Sequence, residues 1–360
     1  MDALPSTEPR AATELIGHEA AERQFLDAWN GGRLAHAWLI AGPRGIGKAT
    51  LAYRIARFVL SGGGEQAGGL FGGGGPENLS IAADRPIFRK IAGNAYPDLR
   101  VYERQTDAKG KRQSEIPVAE VRKLGEFLSL TSAEGGWRVA IIDAADDLNR
   151  EGANAILKTL EEPTRNALIV LVAHSPDRLL PTIRSRCRRL TLTPLAEDVV
   201  MTLLRRRQPE LSETDAQAIA RLAEGSIGRA LALTEGEGLP LYREMIELIG
   251  ALPRLDVPKL HAFSDRVGGD EEKSRTLEEL FLRWMAIAAG GSARKDGPIP
   301  EAVAGERSLG TRLLAAAGLD KWLELWDRTG RAFERSEAVN LDRKQVVLNA
   351  FLALERTVRP

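Results

Sequence analysis

The sequence predicts an α/β module, a parallel sheet with helices on both faces, followed by a small helical region and a larger all-helical one. Three observations predict it. Short apolar runs alternate with helical patterns between residues 37 and 173, which is how strands buried on both faces read. A glycine-rich loop joins the first of those runs to a helical stretch. Beyond Pro194 no convincing strand pattern remains, and helical periodicity dominates to the end.

The elements follow in chain order. Residues 1–14 are polar and expected to be loose, and residues 19–29 carry a helical pattern. His36-Ala37-Trp38-Leu39-Ile40-Ala41 is a short apolar run read as a buried strand. Residues 50–60 place apolar side chains at helical spacing, and residues 61–75, with nine glycines, read as a flexible surface loop. A second apolar run, Val139-Ala140-Ile141-Ile142, ends in Asp143, and a third covers residues 168–173. Between them Ala153, Ile156, Leu157 and Leu160 recur at i, i+3, i+4 and i+7, a helix that stops before Pro163.

After Pro194, residues 199–206, 215–224 and 228–233 read as short helices. Longer amphipathic segments follow from about 241, including 277–288, 319–333 and 343–357, with a Gly/Pro-containing break at 290–310. Trp322, Trp326 and Phe333 stand at helical spacings, equally suited to a core and to an interface. The expected domains are residues 1–195, 196–240 and 241–360.

Composition narrows the function classes. A chain of 360 residues favours two or three domains. Fifty basic residues against fifty acidic ones advertise neither nucleic acid nor membrane. The single cysteine, Cys187, excludes an internal disulfide and a multi-cysteine zinc site. No 18-residue apolar run and no signal-peptide pattern near Met1 are present, so a cytoplasmic location without a membrane partner is expected.

The chemistry concentrates in the loop. Gly42-Pro43-Arg44-Gly45-Ile46-Gly47-Lys48 fits the P-loop pattern, in strand–loop–helix context. Its backbone N–H groups and Lys48 suit the β and γ phosphates of ATP or ADP. Ala49, however, stands where a hydroxyl should hold Mg²⁺. Thr50 carries a hydroxyl one residue later, about 100° further round a helix. Asp143 is placed either to hold the metal or to cap the following helix, and Ala144 occupies the position of a water-polarising Glu. The expectation is a degenerate site that holds nucleotide weakly and hydrolyses it poorly, because each missing element costs roughly 10³-fold or more in rate. Arg184-Ser185-Arg186-Cys187-Arg188-Arg189 is a second constellation. It reads as a solvated basic turn, a phosphate-backbone contact, or an arginine projected into a neighbour's ATP site.

The loop 42–48 after His36-Ala37, then Ala153-Asn154-Ala155-Ile156-Leu157-Lys158-Thr159-Leu160-Glu161-Glu162-Pro163, then Ser185-Arg186-Cys187, resembles the bacterial DNA polymerase III clamp-loader subunits. Order and spacing agree across residues 15–235. The resemblance implies an AAA+ P-loop module, a helical lid and an all-α collar that joins five subunits into a ring. It implies gamma/tau and delta subunits, the sliding clamp and primed DNA as partners. Motor subunits of that family carry Thr or Ser at the position of Ala49 and Glu at that of Ala144. Their sensor threonine falls at His174, and their lid arginine after Gly-Ser-x falls at Gly228, with Arg229 one place late. Altered motor parts beside an intact Ser185-Arg186-Cys187 match the delta-prime branch, which implies Arg186 as an arginine finger acting in trans. The four-cysteine zinc module of many relatives is missing, so no zinc or other metal is expected. Two rivals remain: an active gamma/tau-like motor that uses Thr50 and another acid, and a P-loop kinase of a small molecule.

Overall fold

The computed structural model describes residues 8–63, 75–106, 113, 115–134, 136–290, 300–339 and 341–359. Most of the glycine-rich stretch 61–75 lies outside them. The chain divides into two compact units, Met1–Leu195 and Ala196–Pro360.

The first unit runs α1 (Glu19–Asn30), β1 (Ala37–Ala41), α2 (Lys48–Leu60), α3 (Pro86–Ala92), β2 (Leu99–Glu103), α4 (Val118–Ser129), β3 (Arg138–Asp143), α5 (Arg150–Glu161), β4 (Ala167–Ala173), α6 (Pro181–Arg184) and β5 (Arg188–Thr191). The five strands form one sheet in the order β2-β3-β4-β1-β5, and every neighbouring pair is parallel. β1 and β4 are buried along their whole length, β3 in all but Asp143. Because strand side chains alternate between faces, Trp38, Ile40, Ile141 and Val170 meet Phe25 of α1 and Phe58 of α2 on one face. Leu39, Ile142 and Leu171 meet Phe127 of α4 and Ile156 of α5 on the other. Helices on both faces of a parallel sheet are what the apolar runs predict.

Two arginines of α2 correct the expectation of a loose start for residues 10–13; residues 1–7 of that stretch lie outside the described residues. Arg54 donates to the Thr13 carbonyl and to Glu22, at 2.8 and 2.6 Å. Arg57 donates to the carbonyls of Arg10 and Ala12, both at 2.8 Å. Residues 10–13 are therefore tied to the helix that follows the phosphate loop. Arg57 is buried with its guanidinium 4.5 Å from the Phe88 ring centre, and burial pulls its pKa down to about 10.

The second unit is helical: α7 (Glu197–Arg207), α8 (Glu213–Ala223), α9 (Ile227–Glu235), α10 (Gly238–Gly250), α11 (Val257–Gly268), α12 (Glu271–Gly290), α13 (Glu306–Ala317), α14 (Leu319–Val339) and α15 (Arg343–Val358). No strand occurs in it among the described residues. α13 begins inside the 290–310 stretch that reads as a break. The core is aromatic. Phe281 lies 5.3 Å from Phe351 and 6.4 Å from Phe333, and Trp284 lies 5.8 Å from Trp322. Trp322 is fully buried and donates to the Met285 carbonyl at 2.9 Å. Trp326 is 41% exposed while donating to the Leu282 carbonyl at 3.1 Å. No helix among the described residues is long and apolar enough to cross a membrane.

Candidate functional site

The strand order brings the C-terminal ends of β3, β4 and β1 side by side. Asp143 registers with Val172, and Ala173 with Ala41. The loop after β1, Asp143 and His174 therefore gather at one end of the sheet, the end where open α/β sheets bind ligands.

The loop's glycines are there for geometry. Gly42, Gly45 and Gly47 have φ of 152°, 76° and 104°. A Cβ on Gly42 would lie 2.4 Å from the Leu192 carbonyl oxygen, so that position admits glycine alone. Ile46 is buried, and its carbonyl oxygen lies 2.6 Å from His18 Nε2, which fastens the loop to the segment before α1. α2 begins at Lys48 with no side-chain cap. Its first N–H groups, with the positive end of the helix dipole, suit an anion.

Lys48 does not extend from the loop. Its side chain is buried, and its ammonium donates to the Pro43 carbonyl. Burial lowers its pKa from 10.5 to about 8, against the pull of Asp143 and Asp146 in the other direction. Ala49 and Thr50 are half-buried at the start of α2, and the Ala144 methyl is buried after β3. Asn149 caps α5 by accepting from Gly152 N at 2.9 Å, so Asp143 at the tip of β3 is not that helix's cap.

Asp146 is the residue that sequence reasoning passed over. Its carboxylate accepts the N–H groups of His174, at 3.0 and 3.2 Å, and of Ser175, at 2.9 Å. Burial pushes its pKa up, but those N–H bonds outweigh it and the net shift is downward. Asp146 thereby clamps the tip of β4 onto the turn after β3. Burial, aided by the charges of Lys48 and Arg44, pulls the His174 imidazole down to about 4. The ring is neutral near pH 7, and its buried Nδ1 has no hydrogen-bond partner among the described residues.

Arg186 sits at the other end of the sheet. β5 is parallel to β1 with Arg188 opposite Trp38, so Arg186 precedes the N-terminal end of the pair. The five residues of β1, at about 3.3 Å each, put about 16 Å of strand between Arg186 and the loop. Its guanidinium pairs with Glu161, the last residue of α5, at 2.8 Å and donates to the Thr182 carbonyl at 3.0 Å. The basic run is not one patch. Arg184 pairs with Asp177 at 2.7 Å, and Arg188 lies 5.1 Å from the centre of the Trp38 ring. Burial pushes the Cys187 thiol up to about 12, which removes it from nucleophilic chemistry.

Lys48 offers a check on what this loop is for. Folded Lys48 titrates near 8 and the free side chain near 10.5, so between those values the unfolded chain binds more protons. Stability is penalised in full below about pH 8, and the penalty fades as pH rises toward 10.5. Lys48→Met is expected to stabilise the chain at pH 7 by on the order of 1–3 kcal/mol, with the gain vanishing at high pH. Thermal melts across that range test it; a loss of stability would mean that the bond to Pro43 holds the loop together.

The sequence model of the family described as DNA polymerase III, delta subunit, matches residues 17–196. DNA polymerase III subunit delta' of Pseudomonas aeruginosa is 35% identical over 167 residues, 46% of this chain and 46% of that one. Subunit delta' of Escherichia coli is 33% identical over 214 residues, 59% of each chain. Subunit gamma of Buchnera aphidicola is 28% identical over 262 residues, 71% of this chain and 66% of that one. Across these three, the match spans about half to two thirds of the relative's length. With half the chain matched by the model and the loop, helix and Ser-Arg-Cys segments placed as described, the chain belongs to the DNA polymerase III, delta subunit family of clamp-loader proteins.

Proposed function

We propose that this chain is a non-hydrolysing, delta'-type subunit of a DNA polymerase III clamp loader. On this reading it is the stationary member of a five-subunit ring with gamma/tau and delta subunits. It presents Arg186 to a neighbouring subunit's ATP while the sliding clamp is loaded onto primed DNA. The observation that carries the reading is a separation: the residues for metal and water are Ala49 and Ala144, while Arg186 stands about 16 Å of strand away from its own loop. At that distance it has no use in its own site.

The residues present suit the phosphates of ATP or ADP and do not suit its metal. The loop's N–H groups and Lys48 would hold the phosphates once Lys48 left the Pro43 carbonyl. The Ala49 methyl offers Mg²⁺ no ligand. Nucleotide therefore binds weakly, in a vestigial site. A multiple-turnover ATPase assay of the isolated chain with Mg²⁺ is expected to give background rates. Ala49→Thr alone is expected to leave them there, because Ala144 still leaves the water unoriented.

Thr50 and the longer match to a gamma subunit favour a second reading, an active gamma/tau-like motor. A rate typical of a motor subunit, abolished by Thr50→Val, would establish it instead.

A further inference from the structure

The helical unit holds a groove of about 750 Å³ between α14 and α15. Its floor is apolar: Leu325 and Phe333 of α14 and Val346 and Ala350 of α15 line it, all buried beneath it. Its walls are basic. Lys321, Arg328 and Arg335 project from α14 and Arg356 from α15, and all four are exposed. Glu324 is the one acid among the described lining residues.

One lining cation, Arg359, is paired with Glu355, as Arg331 is with Asp327 and Arg343 with Glu271 outside the lining. Lys321, Arg328, Arg335 and Arg356 have no ion-pair partner among the described residues. Four unpaired cations over an apolar floor make a two-part surface, which asks for apolar side chains in the middle and negative charge on both sides.

We infer that this groove docks an acidic amphipathic helix of another polypeptide. From Lys321 to Arg335 the wall is about 21 Å long at 1.5 Å per residue, enough for a helix of about four turns. Such a helix would set residues at i, i+3, i+4 and i+7 on the floor and hold Glu or Asp against the walls. A nucleic-acid strand fits less well. Its phosphates would meet the arginines, but among the described residues no exposed aromatic ring lines the groove for bases to stack on. This inference does not depend on the role proposed for Arg186.

The test uses the full chain and a labelled synthetic helical peptide, about four turns long, with Leu on one face and Glu on the flanks. Its comparator keeps the Leu face and carries Lys on the flanks. Fluorescence anisotropy should show saturable binding of the acidic peptide, at least about tenfold tighter than the basic one. Arg328→Glu with Arg335→Glu should weaken it by about tenfold or more. Ala353→Trp, which fills the groove without changing charge, should weaken it too, and circular dichroism should show both variants folded. No saturable binding, equal binding of the two peptides, or indifference to either variant overturns the inference. So does oligo(dT) binding that depends on the same two arginines, which would make the groove a nucleic-acid surface. Self-association of the chain that these variants abolish would make a second copy the occupant and equally overturn it.

Discussion

Arg186→Ala is expected to lower the clamp-stimulated ATPase of an assembled loader while leaving fold and assembly unchanged. A guanidinium is planar and always charged, a fork suited to phosphate oxygens. Here it is exposed and bonded to Glu161 and Thr182 on its own chain, an arrangement that contributes about 0–1 kcal/mol to stability. At the one ATP site it is proposed to serve, the loss should approach ~10³-fold; total turnover should fall only in part, because other sites would keep their own arginines. Arg189→Ala is the control, since it removes one exposed charge from the same run. Arg188→Ala serves less well, because that side chain lies over Trp38. Equal losses from Arg186→Ala and Arg189→Ala, both mimicked by added salt, would make Arg186 part of a general cationic surface and end the finger assignment.

The largest stability effect is expected from Trp322→Ala, about 3–5 kcal/mol. The indole is fully buried beside Trp284, and its N–H satisfies the Met285 carbonyl. Removing it leaves a cavity and takes one of its hydrogen bonds from the Met285 carbonyl. Trp326→Ala, one turn further along the same helix and 41% exposed, should cost no more than about 1 kcal/mol. Denaturant unfolding of both variants measures the difference, and equal costs would refute the packing assigned to Trp322. The sequence places Trp322, Trp326 and Phe333 at helical spacings but does not say which of them faces inward; only the packing of α12 against α14 decides that.

Legibility followed burial elsewhere too. β1, β3 and β4 are central strands, covered on both faces, and appear in the sequence as unbroken apolar runs. The two edges did not. β2 reads Leu-Arg-Val-Tyr-Glu with Tyr102 alone fully buried, and β5 has four residues of which only Leu190 is buried. An edge strand has fewer apolar neighbours, so its polar residues hide it; Arg188 and Arg189 disguised β5 as a basic turn. In the site, the glycines were legible because each stands at a positive φ that glycine favours. The inward fold of Lys48 and the grip of Asp146 on the β4 tip were not, since both depend on groups brought together from distant parts of the chain. The anchoring of residues 10–13 was hidden for the same reason: Arg54 and Arg57 are satisfied by backbone carbonyls more than forty residues away.

The register of β5 against β1 has a consequence for how copies of such a module can meet. On the function proposed above, it sets a donor end, at Arg186, opposite an acceptor end, at the loop after Ala41. A pair related by a two-fold axis presents the same patch to itself, so that patch would need both ends at once, and about 16 Å of strand separates them. Donor-to-acceptor contact is therefore heterologous, head to tail, and its repetition gives a closed ring or an open row. A chain whose donor is intact and whose acceptor is disabled, as proposed for this one, would have only one productive neighbour in such a row. Its place would be a terminus, with the direction of growth set by the pairing of two strands.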